Sequence, residues 1–393
     1  MIQNLPLATE SSAEVFVSSP SSPSSKNARV LHIINGEHFA GSERVQQHLG
    51  ACLPEFGYDA SFACLKDGKF RELSGLAPEL VHDFTMNNRL DLGVVGDIAK
   101  LAKSEEFQLL HAHTPRSAMI TAQVSYRTGI PWIYHVHSPT VRDCTSGWSN
   151  RINNWVESFS LRSCKMMITV SRSLRREMLR QGWQRSGIAV VPNGVPALKP
   201  IDPQSRLLDT AWRFGLIALM RPRKGVEVAL QALNLVRQSD PNVELDLIGG
   251  FETNEYEEQI LALEHDLDLH DCVVRSGFCK DIPSKVRDLD ALVLPSLFGE
   301  GMPMVVLEAI SAGVPVIATQ VEGTPEIIRH NSEGLLAEPG DPESLAEQML
   351  QLMQSREKWC ELSANALGRH RENFSEIVMA QRVAKVYNRI LQS

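Results

Sequence analysis

Aromatic residues make up only 6% of the 393-residue chain, too few for a carbohydrate-binding module built on exposed stacking rings. Basic charge is also scarce: 39 Lys and Arg against 47 Asp and Glu leave a formal charge of -8. That balance argues against generic nucleic-acid binding through a whole-protein basic field, though a local basic patch remains compatible with it. The seven cysteines (Cys52, Cys64, Cys144, Cys164, Cys272, Cys279, Cys360) are odd in number and never fall as C-x-x-C. Reduced thiols in a cytosolic protein are expected, rather than a disulfide scaffold or a structural zinc site. No apolar run approaches the roughly 18 residues of a membrane span. The N-terminus carries Glu10 and Glu14 in place of a basic, then apolar, signal sequence, so a cytoplasmic location is expected.

The remaining composition, 43% hydrophobic and 22% charged, is that of a globular protein long enough for two or three domains. Residues 1–27, with the Ser/Pro-rich run FVSSPSSPSSK, read as a disordered leader. Strand-like apolar runs follow: RVLHII, DASFACL, FQLLHAH, PWIYHVH and MMITVS, with helical stretches such as DIAKLAKSEE between most of them. The alternation stops at the proline-rich PNGVPALKPIDPQ and restarts with FGLIAL, VELDLIG, CVVRSG, ALVLP, VPVIAT and GLLAE. Strands alternating with helices imply right-handed βαβ units and parallel sheets. The reading is an α/β protein with a first unit over 28–195, a linker over 196–211, a second unit over 212–375 and a terminal helix over 376–393. Open parallel sheets bind ligands beyond the carboxyl ends of their strands, so two facing sheets place a ligand in the cleft between them.

The densest chemistry lies in LPSLFGEGMPMVVLEAISAGVPVIAT, residues 294–319. A strand ends at Pro295, a Gly-flanked loop carries Glu300, and a helix is expected to begin near Pro303, a proline suited to a first turn. Free N–H groups from Gly301, Met302 and Met304 would make a seat for an anionic or hydroxyl-rich ligand. Glu308 follows eight residues after Glu300. Two carboxylates so placed can bind two parts of an extended ligand, yet spacing alone fits a loop acid and a solvated helix acid equally well.

The string EGMPMVVLEAISAGVPVIAT, followed by EGTPEII, closely resembles the donor-site signature of retaining family 4 glycosyltransferases. AGSERVQQHLGACLPEFGYDAS, PWIYHVHSP, ITVSRS, VVPNGV and MRPRKG fall in that family's order. The resemblance implies a GT-B fold, two facing Rossmann-like domains, with the terminal helix packing back on the first. It implies a metal-independent, retaining transfer from a nucleotide-diphosphate sugar to a glycan, lipid-linked or small-molecule acceptor, as in polysaccharide biosynthesis, with no bound cofactor. By position, Glu300 matches the contact to the donor sugar and Glu308 the contact to the nucleotide ribose. The backbone at Gly301, Met302 and Pro303 corresponds to the loop cradling sugar and phosphates. Arg221 and Lys224 match the pair that clamps the diphosphate, where cations offset the charge of the leaving group. Leu219 departs from the family arginine, which makes the role of Arg221 the less secure of the two. His137 matches a histidine beside the reacting sugar, and Gly41 a glycine that lets backbone approach the diphosphate or acceptor.

Two other readings share the sequence. His111-Ala-His113 and His135-Val-His137 are H-x-H pairs at strand ends, a spacing that can serve zinc in a hydrolase. A sugar-nucleotide epimerase would use the same two-domain architecture. A third signal is local: between 142 and 185 nine basic residues face only Asp143, Glu157 and Glu177, with tryptophans interleaved. That region suits peripheral docking on anionic lipid, and a solvated helix face equally.

Overall fold

The computed structural model describes residues 27–86, 91–138, 161–183, 187–202 and 211–392. The leader, the linker segment 203–210 and much of the basic region (139–160 and 184–186) lie outside the described residues.

Thirteen strands are described, in two wholly parallel sheets. The first contains β1 (Ala28–Ile34), β2 (Tyr58–Cys64), β3 (Val81–Asp83), β4 (Leu109–Ala112), β5 (Trp132–Val136), β6 (Met166–Thr169) and β7 (Gly187–Val190), in the order β3-β2-β1-β4-β5-β6-β7. The second contains β8 (Trp212–Ile217), β9 (Val243–Ile248), β10 (Val273–Gly277), β11 (Ala291–Leu294), β12 (Val316–Thr319) and β13 (Gly334–Ala337), in the order β10-β9-β8-β11-β12-β13. Their central strands are continuous apolar runs because helices cover both faces. The expected α/β architecture is therefore present twice. Strand order reverses between β1 and β4 in one sheet and between β8 and β11 in the other. Those two crevices are where an open α/β sheet offers a ligand site.

The chain crosses between the halves twice at one place. Val195 pairs with Ser375, its N–H donating to the Phe374 carbonyl at 2.9 Å, after a π-helical turn over His370–Phe374. The helix Glu376–Leu391 then buries Met379, Ala380, Val383 and Tyr387 against Val30, Ile34, Val45 and Leu49 of the first sheet and the helix Gly41–Cys52. Its apolar residues recur every three or four positions, so one face is buried throughout. Among the described residues no helix is long and apolar enough to cross a membrane.

Candidate active site

The second sheet builds its half of the site at its crevice. After β8 the chain makes a 3₁₀ turn over Pro222–Lys224 that ends at Gly225, with φ 68°. A side chain at Gly225 would strike the Pro295 carbonyl at the end of β11, so glycine lets the two strand ends meet. That contact delivers Lys224 to Glu300. Its ammonium bonds Glu300 Oε1, the Ser296 hydroxyl donates to the same oxygen at 2.6 Å, and Arg223 Nη1 stands 3.9 Å away. Glu300 is only 4% exposed, which removes the alternative of a solvated loop acid. All three contacts fall on Oε1, and Oε2 accepts no bond among the described residues. Arg221 does not join this cluster; its guanidinium pairs with Glu252 at 3.0 Å. The Nε–H groups of Arg221 and Arg223 are buried without a protein acceptor, so both can still bind an anion.

The loop Gly301–Pro303 is buried, and the helix begins at Met304, running to Ala312. Pro303 is its N-cap, with ψ 118°, rather than a first-turn residue. The proline therefore turns the chain into the helix from an extended conformation. Glu308, 3% exposed, faces the other domain and is ion-paired with Arg44 of the helix Gly41–Cys52. Burial raises the Glu308 pKa above the ordinary carboxylate value, and Arg44 opposes that rise. Gly41 lies under the same helix: a side chain there would meet Met304 at 3.3 Å.

The first sheet answers with imidazoles. His32 on β1, His111 and His113 at the end of β4, and His135 and His137 at the end of β5 stack in one layer. His113 Nδ1 lies 3.1 Å from His137 Nε2, and His113 Nε2 lies 2.9 Å from His32 Nδ1. Burial holds His137 at a pKa of about 4 and His32 at about 3, and keeps His111, His113 and His135 well below the free value. All five are neutral at pH 7. Two triads, His32–His111–His113 and His113–His135–His137, are close enough to share a metal ion. His113, common to both, already spends each ring nitrogen on a neighbouring ring.

The halves touch at the chemistry. A side chain at Gly301 would come within 2.5 Å of the His137 carbonyl, so this glycine permits the approach of donor loop and histidine strand. Beside it, Glu326 accepts the Arg172 and Ser173 N–H groups at 2.8 Å each, binding the N-terminus of the helix Arg172–Arg180 across the interface. Ser171 caps that same helix through Leu174 N–H, as its position suggests. A cavity of about 240 Å³ lies between this helix and Gly301, with Arg176, Arg180, Glu177 and Glu322 in its wall.

Residues 39–197 match the family described as Glycosyltransferase Family 4, and residues 212–355 match Glycosyl transferases group 1. The chain belongs to glycosyltransferase family 4. Among relatives of this family 4 glycosyltransferase is the UDP-Gal:alpha-D-GlcNAc-diphosphoundecaprenol alpha-1,3-galactosyltransferase of Escherichia coli, 21% identical over 82% of this chain and 87% of that one. The N-acetyl-alpha-D-glucosaminyl L-malate synthase of Bacillus anthracis is 26% identical over 89% and 93%. The crystal structure of Anabaena Alr3699/HepE in complex with UDP superposes with a TM-score of 0.79 at 22% identity, covering 92% of this chain and all of the other. The fold is GT-B, as the resemblance implies. Epimerase and zinc-hydrolase readings find no support in these matches.

Sequence reasoning reached Glu300, Glu308, Lys224 and His137 but passed over their partners. Arg44, Arg223 and Glu326 stand inside quoted motifs, AGSER, RPRK and EGTPE, and proximity to Gly41, Lys224 and Gly323 was the available signal. His32 and Tyr387 had none.

Proposed function

We propose that this glycosyltransferase moves a sugar, with retention, from a nucleotide-diphosphate sugar held by the second domain to an acceptor held by the first. The observation that carries it is the buried Lys224–Glu300–Ser296 cluster at the crevice between β8 and β11, next to Gly301, which packs on the His137 carbonyl of the other domain. Lys224, Arg223 and Arg221 offer cationic donors to a diphosphate whose charge grows as the sugar bond breaks, the role a metal ion plays elsewhere. Glu300, with Oε2 unspent, takes a hydroxyl of the transferred sugar. Glu308 takes the ribose, the backbone of Gly301, Met302 and Pro303 lines the sugar and phosphates, and Gly41 brings the first-domain helix against that loop.

Glu300 is held by Lys224 and Ser296 as an acceptor of hydrogen bonds, which disfavours its use as a covalent nucleophile. Front-face attack follows, with the leaving phosphate oxygen taking the acceptor proton. The UDP in the Anabaena complex makes uridine the first base to test. The acceptor is assigned as a glycan or lipid-linked saccharide, in keeping with the diphospholipid acceptor in the E. coli relative's name. The exposed arginines of the helix Arg172–Arg180 would then rest on an anionic membrane from the cytoplasmic side. Purified protein incubated with a panel of nucleotide sugars and lipid-linked acceptors should give one product of retained anomeric configuration by NMR. Hydrolysis or epimerisation alone would refute the assignment, and indifference to anionic liposomes at low salt would refute the membrane contact.

A further inference from the structure

The imidazole layer is also a hydrogen-bonded chain with a defined end. From His137 Nε2 it runs to His113 Nδ1 (3.1 Å), from His113 Nε2 to His32 Nδ1 (2.9 Å), from His32 Nε2 to the Tyr387 hydroxyl (3.3 Å), and from that hydroxyl to His111 Nδ1 (2.7 Å). Tyr387 comes from the helix that crosses back from the second domain. A neutral imidazole carries one proton, on one nitrogen. With every link made, only two arrangements conserve protons. Either all four histidines are protonated on Nε2, with His137, His113 and His32 donating toward Tyr387 and the hydroxyl donating to His111, or all four are protonated on Nδ1 and every bond reverses.

The two ends are balanced. His111 Nε2 and His137 Nδ1 are both buried without a protein partner, so either arrangement leaves one buried N–H unspent. What the geometry fixes is the coupling: because each link needs one donor and one acceptor, the four rings change tautomer together or break a bond.

We propose that His113, His32, Tyr387 and His111 are positioning residues that tie the tautomer of His137 to their own, so that His137 meets substrate with a fixed pattern of donor and acceptor. This rests on the assignment of His137 as a sugar contact. His135 stacks on His137 with ring centroids 4.4 Å apart yet bonds to no member of the chain, so its tautomer is free to differ.

The test is two-bond ¹H–¹⁵N correlation on the full-length protein labelled at histidine, at pH 7.5, with steady-state kinetics beside it. His32, His111, His113 and His137 should all report the same protonated nitrogen. In Tyr387→Phe, which keeps the ring, His111 should leave the set while the others hold. In His113→Phe, His137 should show mixed tautomers, and kcat should fall about twofold, the share of rings left with the wrong pattern at equal populations, with little change in donor KM. Tyr58→Phe is the structural control, because Tyr58 donates to Asn388 of the same helix at 2.8 Å; it should alter melting without altering any tautomer. Any one of the four histidines protonated on a different nitrogen from the rest in the wild type overturns the chain. Four aligned tautomers in a protein that transfers no sugar would instead uphold the chain and remove the sugar contact.

Discussion

On the first-domain side of the cleft, five neutral imidazoles are stacked at the ends of β1, β4 and β5. On the second-domain side, two buried carboxylates are held by cations, Glu300 by Lys224 and Glu308 by Arg44. Both walls are polar and both lie at a crevice where strand order reverses, but they solve burial differently. Neutral rings avoid the cost of desolvating charge and can present a directed donor to a hydroxyl. Paired ions keep charge available for a ligand that is itself charged. The difference suits the roles proposed for them, a wall for sugar and acceptor opposite a wall for a nucleoside diphosphate.

The two walls should part most widely in acid. The free histidine pKa is near 6.5, while the buried rings sit at about 3 to 4 or well below the free value. Between those limits the unfolded chain binds protons that the folded one refuses, so stability falls as pH drops from 6.5 toward 4. Each ring costs about 1.4 kcal/mol per pH unit in that window, so five together should remove several kcal/mol by pH 5.5. Hydrogen exchange should show amides of β1, β4 and β5 losing protection before those of β8 and β11. Equal loss in both sheets would mean that the histidine layer is not the acid-labile element.

The charged wall should break hardest at Lys224. Lys224→Met leaves Glu300 buried with Ser296 and a guanidinium 3.9 Å away, and should lower kcat/KM by about 3 kcal/mol, roughly a hundredfold. Arg221→Met, removing a part-exposed partner of Glu252, should cost tenfold or less, about 1 kcal/mol. The reverse order would place Arg221, not Lys224, at the phosphates.

Within the carboxylates, Glu300→Gln should lower kcat more than it raises donor KM, because the sugar contact lies beside the carbon where charge develops. Glu308→Gln should mainly raise donor KM and weaken nucleoside diphosphate binding by about 1 to 3 kcal/mol. A swapped pattern in kinetics and calorimetry would exchange their roles.

How far the sequence revealed this contrast depends on where each wall gets its partners. All six strands of the second sheet are legible as apolar runs. In the first sheet β3 and β7 are not: β3 has three residues, and β7 is an edge strand whose residues are all at least part-exposed, so neither shows a buried run. Glu300 and Lys224 come from strand ends that carry motifs, and their pairing follows once Gly225 lets those ends meet. The imidazole layer gave only its two H-x-H pairs. His32 sits inside an apolar strand, and Tyr387 lies 355 residues away in the chain. No local pattern encodes a contact made by the last helix returning to the first sheet.

Arg44 tests the contrast most finely, because it is a cation that the first domain lends to the charged wall. Two effects of Arg44→Met oppose each other. The arginine occupies the carboxylate that the ribose would use, so its removal frees Glu308. It also opposes the rise that burial imposes on the Glu308 pKa, so its removal lets the pKa climb further and favours the protonated form, which accepts hydrogen bonds poorly. Glu308 is nearly sealed and no other cation pairs with it among the described residues, so the second effect should win. Donor KM should rise a few-fold, within about 1 kcal/mol, with kcat unchanged. The sign of the pH dependence follows: a raised carboxyl pKa is overcome at higher pH, so the variant's KM should fall toward the wild-type value as pH rises, more steeply than the wild type's own. A lower KM in Arg44→Met at every pH would show instead that Arg44 competes with the nucleotide, and that the ion pair is a latch the donor must open.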